Sequence, residues 1–194
     1  MLLDDESMKN WEEFSTRLLT HVNPYTGLAW KDDPALITIS LINEDSLIFL
    51  KAVGALNAAD NAFFETKFKA WLQATGHLPA LTEQNRDEWE CRFAMERQMA
   101  AYASMSSFLR KLGVRAPFTD QNCFDSPAMA VMRSAYDYVD SHCYWDHPSF
   151  LDQPWRTPLG VNQSSAVSAM ARVPASLFPA RVFGKPFTVT EFNY

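Results

Sequence analysis

The chain has 194 residues, 47% of them hydrophobic and 21% charged, with a formal net charge of −6 at pH 7. This is globular material without a low-complexity tract or an internal repeat. The acidic balance and the scatter of the 17 Lys and Arg residues argue against a nucleic-acid partner, and no apolar run approaches the ~20 residues that span a bilayer, so no membrane partner is expected. The acidic start lacks the basic and apolar regions of a signal peptide. Cys91, Cys123 and Cys143 follow no metal or disulfide spacing and read as buried or tolerated thiols.

Trp11, Phe14, Leu18 and Val22 recur at steps of three and four behind an acidic run, which predicts an amphipathic helix over residues 8–22. His21 falls at the end of that helix and reads as structural. Pro24 stops the helix, and a loop over 23–34 leads to residues 36–42. That stretch is uncharged and rich in β-branched residues, the pattern of a strand buried on both faces of a parallel sheet. Alternation sets Ile37, Ile39 and Leu41 against Thr38, Ser40, Ile42 and Glu44, and the strand runs out into Glu44. A short apolar segment over 46–54 and helices over 60–75 and 85–112 follow, Gly113 capping the last. The residues from about 46 to 84 read as a helical insertion.

A second strand is expected over 114–119, ending in Asp120, Gln121 and Asn122, and a short helix over 127–134. A third strand over 136–139 opens into a loop carrying His142, Cys143, Tyr144, Trp145, Asp146 and His147. Residues 149–168 read as a long surface loop and 174–183 as a final short helix. The last strand spans 187–190 and is followed by Glu191. The order β-α-β-α-β-α-β predicts an α/β fold with parallel strands.

Two strands that both finish in a glutamate point to paired-carboxylate chemistry, since parallel folds place their reactive groups at the C-terminal ends of strands. A retaining glycosidase needs two carboxyls about 5–5.5 Å apart, one donating a proton and one attacking the anomeric carbon. The plainer reading makes Glu44 and Glu191 loop-facing residues of an α/β domain. The two His, the Cys and the Asp between 142 and 147 admit a metal reading, although such close neighbours on a loop seldom converge on one ion.

Asn43-Glu44 after one strand and Thr190-Glu191-Phe192-Asn193 at a later one resemble the retaining glycoside hydrolases of clan A. So do the upstream stretches Asn23-Pro24-Tyr25-Thr26-Gly27 and Asp32-Asp33-Pro34. The likeness is to bacterial cellulase- or mannanase-like members and runs from about residue 18 to residue 194. These enzymes are (β/α)8 barrels whose fourth strand ends in Asn-Glu and whose seventh ends in the nucleophilic Glu. The resemblance implies Glu44 as acid/base and Glu191 as nucleophile. Asn43 would bind the sugar 2-hydroxyl, His142 or Tyr144 would orient the nucleophile, and Trp145 would stack on sugar or pack under its loop. Trp30, Trp89 and Trp155 are further aromatic candidates, with Trp89 the one most suited to a core.

The substrate implied is an oligo- or polysaccharide with β-linkages, and no cofactor or metal is implied. A complete barrel takes roughly 250 residues, and only the fourth to seventh strands have counterparts here. The chain therefore reads as a single partial barrel domain over 1–194, a fragment expected to be a poor enzyme alone, secreted or periplasmic if a leader lies upstream. The alternative is a catalytically silent carbohydrate-binding or scaffold fragment.

Overall fold

In the computed structural model the chain divides into two units, Met1–Leu41 with Ser46–Phe118 and Ile42–Asp45 with Thr119–Tyr194. The structure describes residues 3–193 apart from 45, 53, 124, 162 and 169–171, and not the side chains at 52, 172–174 and 193. The side chain of Asn193, part of the terminal glutamate motif, thus lies outside the described residues.

The first unit opens with helix α1, Asp5–Thr20, capped by Asp4, whose carboxylate accepts the Ser7 amide at 2.8 Å. Its Trp11 donates the indole N–H to the carbonyl of Leu41 at 3.1 Å. Gly27 sits at φ 70°, where a residue without Cβ closes the turn in which its amide donates to Asn23.

Strand β1 is much shorter than its sequence suggests and covers only Ile39–Ser40. It pairs with β2, Phe118–Thr119, and the Ile39 amide donates to the Pro117 carbonyl at 3.0 Å. The expected burial on both faces fails at Ile37, which is 77% exposed, while Leu41 is buried. The cause is local. Asp33 holds the residues after it in a turn, its carboxylate accepting the Ala35 amide and its carbonyl the Leu36 amide, so no ladder forms there.

Helices α2 (Leu47–Ala52), α3 (Ala58–Ala74) and α4 (Arg86–Lys111) complete the first unit. They bury Leu47, Phe64, Phe68, Leu72, Phe93 and Ala94 against one another. The Phe93 ring meets Phe64 edge-on at 5.4 Å and Phe68 at 5.7 Å. Each such phenylalanine contributes about 1.5–3 kcal/mol on burial. Residues 46–84 carry α2, α3 and a 3-10 turn at Leu78–Ala80, and Trp89 packs on this cluster with His77 and Trp71.

The second unit begins its regular structure with α5, Pro127–Arg133, capped by Ser126, which accepts the Met129 amide, and with proline at the first position, where no donor is needed. Strand β3 is Val139–Tyr144. The loop expected after 139 is therefore strand, and the strand expected over 136–139 is mostly turn. Next come β4, Ser149–Phe150, and β5, Leu159–Gly160, a short antiparallel pair inside the stretch expected as loop. Helix α6, Arg172–Leu177, and a 3-10 turn at Phe178–Ala180 precede β6, Phe187–Asn193.

β3 and β6 pair in parallel. The polar residues of 140–144 are drawn into the ladder because β6 supplies partners for their amides and carbonyls, which outweighs a weak local preference. The register runs Val139 to Phe187, Asp140 to Thr188 and Ser141 to Val189, then jumps so that His142 faces Glu191. Thr190 is the extra residue of a bulge. The protein is mixed α/β, and among the described residues its sheets are two-stranded and form no barrel.

Candidate active site

The site belongs to the second unit and is built on Asp140, a strand residue only 1% exposed. Its Oδ1 accepts the Thr188 hydroxyl at 2.7 Å and the Thr190 amide at 3.1 Å. Its Oδ2 accepts the Thr190 hydroxyl and, at 3.2 Å, the side-chain amide of Asn122. A buried carboxylate is tolerable only with such a full set of donors. Behind it, buried Arg133 pairs with Asp125 and donates to the Gln121 carbonyl from Nε at 3.2 Å and Nη2 at 3.0 Å. Gln121 takes a left-handed backbone, φ 48°, at that point.

Asn122 carries this framework to the first glutamate. Its Oδ1 accepts the Glu44 amide at 2.8 Å, its Nδ2 lies 3.3 Å from the side-chain oxygen of Asn43, and its carbonyl accepts the His142 amide at 2.7 Å. Glu44 itself is held at φ 52°, a conformation costly for a non-glycine residue and maintained only where the surroundings over-determine it. It does not end a strand, since β1 stops at Ser40.

Successive residues of β3 alternate sides, so Asp140, His142 and Tyr144 share one face and Ser141 and Cys143 the other. The contacts agree: Ser141 donates to Asp125 at 3.1 Å and Cys143 meets Ser176 at 3.3 Å, while His142 and Tyr144 turn to the glutamates. His142 Nδ1 lies 2.8 Å from Glu44 Oε1 and 3.3 Å from Glu191 Oε2, and its Nε2 lies 3.8 Å from Asp140. The Tyr144 hydroxyl donates to Glu191 Oε2. This bond to Glu191, then burial and the charges of Glu191 and Glu44, push the Tyr144 phenol up to about 12.

The structure thus brings together Glu44, Glu191, His142 and Tyr144, with Asn43 reached through Asn122. It does not bring Trp145 to them in the same way: that indole N–H is given to the Ser164 carbonyl at 2.9 Å and holds the loop. Nor does the 142–147 stretch gather on one point, for His147 turns to the Pro148 carbonyl and to the Tyr144 ring. Among the described residues, Glu44, His142 and Glu191 are the set that could hold a metal ion, one ligand atom of each lying within 4.8 Å of the others. Trp30 lines an open groove of about 560 Å³ in the first unit with Phe14, Leu18, His21 and Leu28.

Sequence reading gave Asp140 no role and placed Asn122 only at the end of a strand. No local signal marked Asp140, because its donors Thr188, Thr190 and Asn122 lie far away in sequence. Comparison with protein-family models, curated proteins and solved structures returns no match for this chain.

Proposed function

We propose that the chain is the catalytic part of a β-glycoside hydrolase that works with retention, on a partial (β/α)8-like scaffold. The observation that carries this reading is the carboxylate pair: oxygens of Glu44 and Glu191 lie within 4.8 Å, close to the 5–5.5 Å or so of retaining enzymes and well short of the roughly 6.5–9.5 Å of inverting ones. The scaffold reading is supported by the side-by-side order of residues 119–122, β3 and β6, joined through the bond from the His142 amide to Asn122 and by the parallel ladder.

Glu191 is the nucleophile. Tyr144 donates to it and His142 lies beside it, so its charge has partners before attack. Glu44 is the acid/base, its Oε1 held 2.8 Å from His142 Nδ1. In the first step Glu191 forms a bond to the anomeric carbon, the glycosidic C–O bond breaks, and the leaving oxygen takes the Glu44 proton. In the second, Glu44 takes a proton from water, whose oxygen displaces Glu191. Asn43 is left to meet the 2-hydroxyl, and the substrate is an oligo- or polysaccharide.

The test is a panel of aryl β-glycosides and β-linked oligosaccharides. Glu191→Gln and Glu44→Gln are each expected to cost at least about a hundredfold in kcat, as loss of a positioned acid or base does, and a 2-fluoro glycoside should label Glu191. Cleavage with inverted product, or labelling elsewhere, would sink the reading.

A second reading is favoured by the same cluster. Glu44, His142 and Glu191 could act as three protein ligands of a catalytic divalent ion with one position open, and Asp140 beyond Nε2 would be the supporting carboxylate. The Tyr144 hydrogen bond argues for the first reading, because it occupies the Glu191 oxygen nearest the imidazole. A strong chelator separates them: activity is expected to survive it, and loss restored by zinc would establish the second.

A further inference from the structure

We propose that the first unit carries a binding pocket for a small zwitterion with an apolar body, an α-amino acid with an aliphatic or aromatic side chain. The pocket has a volume of about 420 Å³, within the roughly 300–1,000 Å³ of small-molecule sites. Lys51 of α2 and Glu90 of α4 supply its charges, and Ile48, Phe64, Cys91 and Ala94 its apolar walls. Asp87, exposed, lies on the same lining. The pocket belongs to one unit and uses neither Glu44 nor Glu191, so it stands or falls apart from the hydrolase reading.

The two charges are under-used within the fold. Arg86 is committed first: its Nε donates to Glu90 Oε1 at 2.7 Å and its Nη2 to Glu65 Oε1. That leaves Glu90 Oε2, on a side chain only 9% exposed, facing Lys51 Nζ across 3.7 Å, beyond hydrogen-bond reach. Lys51 is little better served, with Glu65 at 3.6 Å and the Asn61 side-chain oxygen at 3.4 Å. A charge-assisted N–H···O bond settles at about 2.7–2.9 Å, so the ammonium and the carboxylate each keep capacity for a ligand. A nearly buried carboxylate oxygen without a close donor is costly, and a ligand N–H relieves it. The ligand class follows from the arrangement of charges. A simple cation would meet the Lys51 ammonium beside Glu90, and a simple anion would meet the carboxylates of Glu90 and Asp87. A ligand with both charges on one carbon offers its ammonium to Glu90 Oε2 and its carboxylate to Lys51 Nζ. Its side chain then lies along Ile48 and Cys91, over Phe64 and Ala94.

Calorimetry on the purified chain, with L-leucine and L-phenylalanine as probes, tests the pocket. Each should bind at least about tenfold more tightly than its decarboxylated amine or its deaminated acid, which lack one charge-assisted bond. Glu90→Gln keeps an acceptor for Arg86 and Lys51→Met keeps a stem over Phe64, and each should weaken amino-acid binding about tenfold. Lys69→Met, at an exposed position of α3, should bind like the parent. In the parent, bound amino acid should also slow alkylation of Cys91, followed by peptide mass spectrometry, and leave that of Cys143 unchanged. This second readout needs no variant to fold. No amino-acid binding by the parent, tighter binding of the amine or the acid, undiminished binding in Lys51→Met, or an unprotected Cys91 would overturn the proposal. A chain that binds the amino acid and cleaves no glycoside would keep the pocket and discard the hydrolase reading.

Discussion

At Tyr144 one phenol holds a carboxylate and is itself altered by it. Because its folded pKa lies above the ordinary value of 10.0, at about 12, the phenol stays protonated and donates to Glu191 throughout the neutral range. The stability it contributes is complete below pH about 10 and fades as pH rises through about 12. Ultraviolet titration of the tyrosines should show a late phenolate transition that Tyr144→Phe removes, with activity falling and the fold intact. Glu44 makes a second test. At φ 52° a glycine carries no Cβ penalty, so Glu44→Gly is expected to keep or raise stability, by up to about 1 kcal/mol, while abolishing activity. Denaturant unfolding and the glycoside panel together check it. A large destabilisation would mean that Glu44 serves the fold and not the chemistry.

At the scale of elements, the helices and the last strand were legible and the other strands were not. α1, α3 and α4 repeat their apolar residues at steps of three and four, a pattern that survives whatever packs on it. The strands depend on partners far away in sequence. Residues 36–42 look like a buried strand yet pair over two residues, and 140–144 look like loop yet pair over five. The glutamates could be picked out because a carboxylate follows each β-prone run, while Asp140 could not, since its donors Thr188, Thr190 and Asn122 meet it only after folding. The buried Arg133 on α5 belongs here too. Arg133→Ala strands Asp125 and the Gln121 carbonyl, and should cost about 3–5 kcal/mol in denaturant unfolding. A cost under 1 kcal/mol would show that water replaces the guanidinium.

For the whole molecule, the chain contributes Ile42–Asp45 to one unit while the residues on both sides belong to the other. The candidate site therefore needs a four-residue segment far in sequence from the rest of its unit, and no stretch starting at Thr119 contains it. The first unit holds a core cluster of its own. Phe93→Ala opens a cavity among Phe64, Phe68 and Leu72 and should cost about 3–5 kcal/mol. Hydrogen exchange should register that loss within residues 46–118 and leave β3 and β6 protected. Among the described residues no helix is long and apolar enough to cross a membrane.

The bulge at Thr190 has a bearing on how such a sequence can change. In a regular ladder Thr190 and Glu191 would point to opposite sides; the skipped residue lets Thr190 serve Asp140 while Glu191 meets His142 and Tyr144. The direction of the nucleophile is thus encoded in a residue count and not in any side chain. Substitutions around it leave the count intact, whereas loss of one codon would redirect Glu191 without touching it. Lineages carrying this site should keep a hydroxyl at position 190 for Asp140 and accept no deletion there.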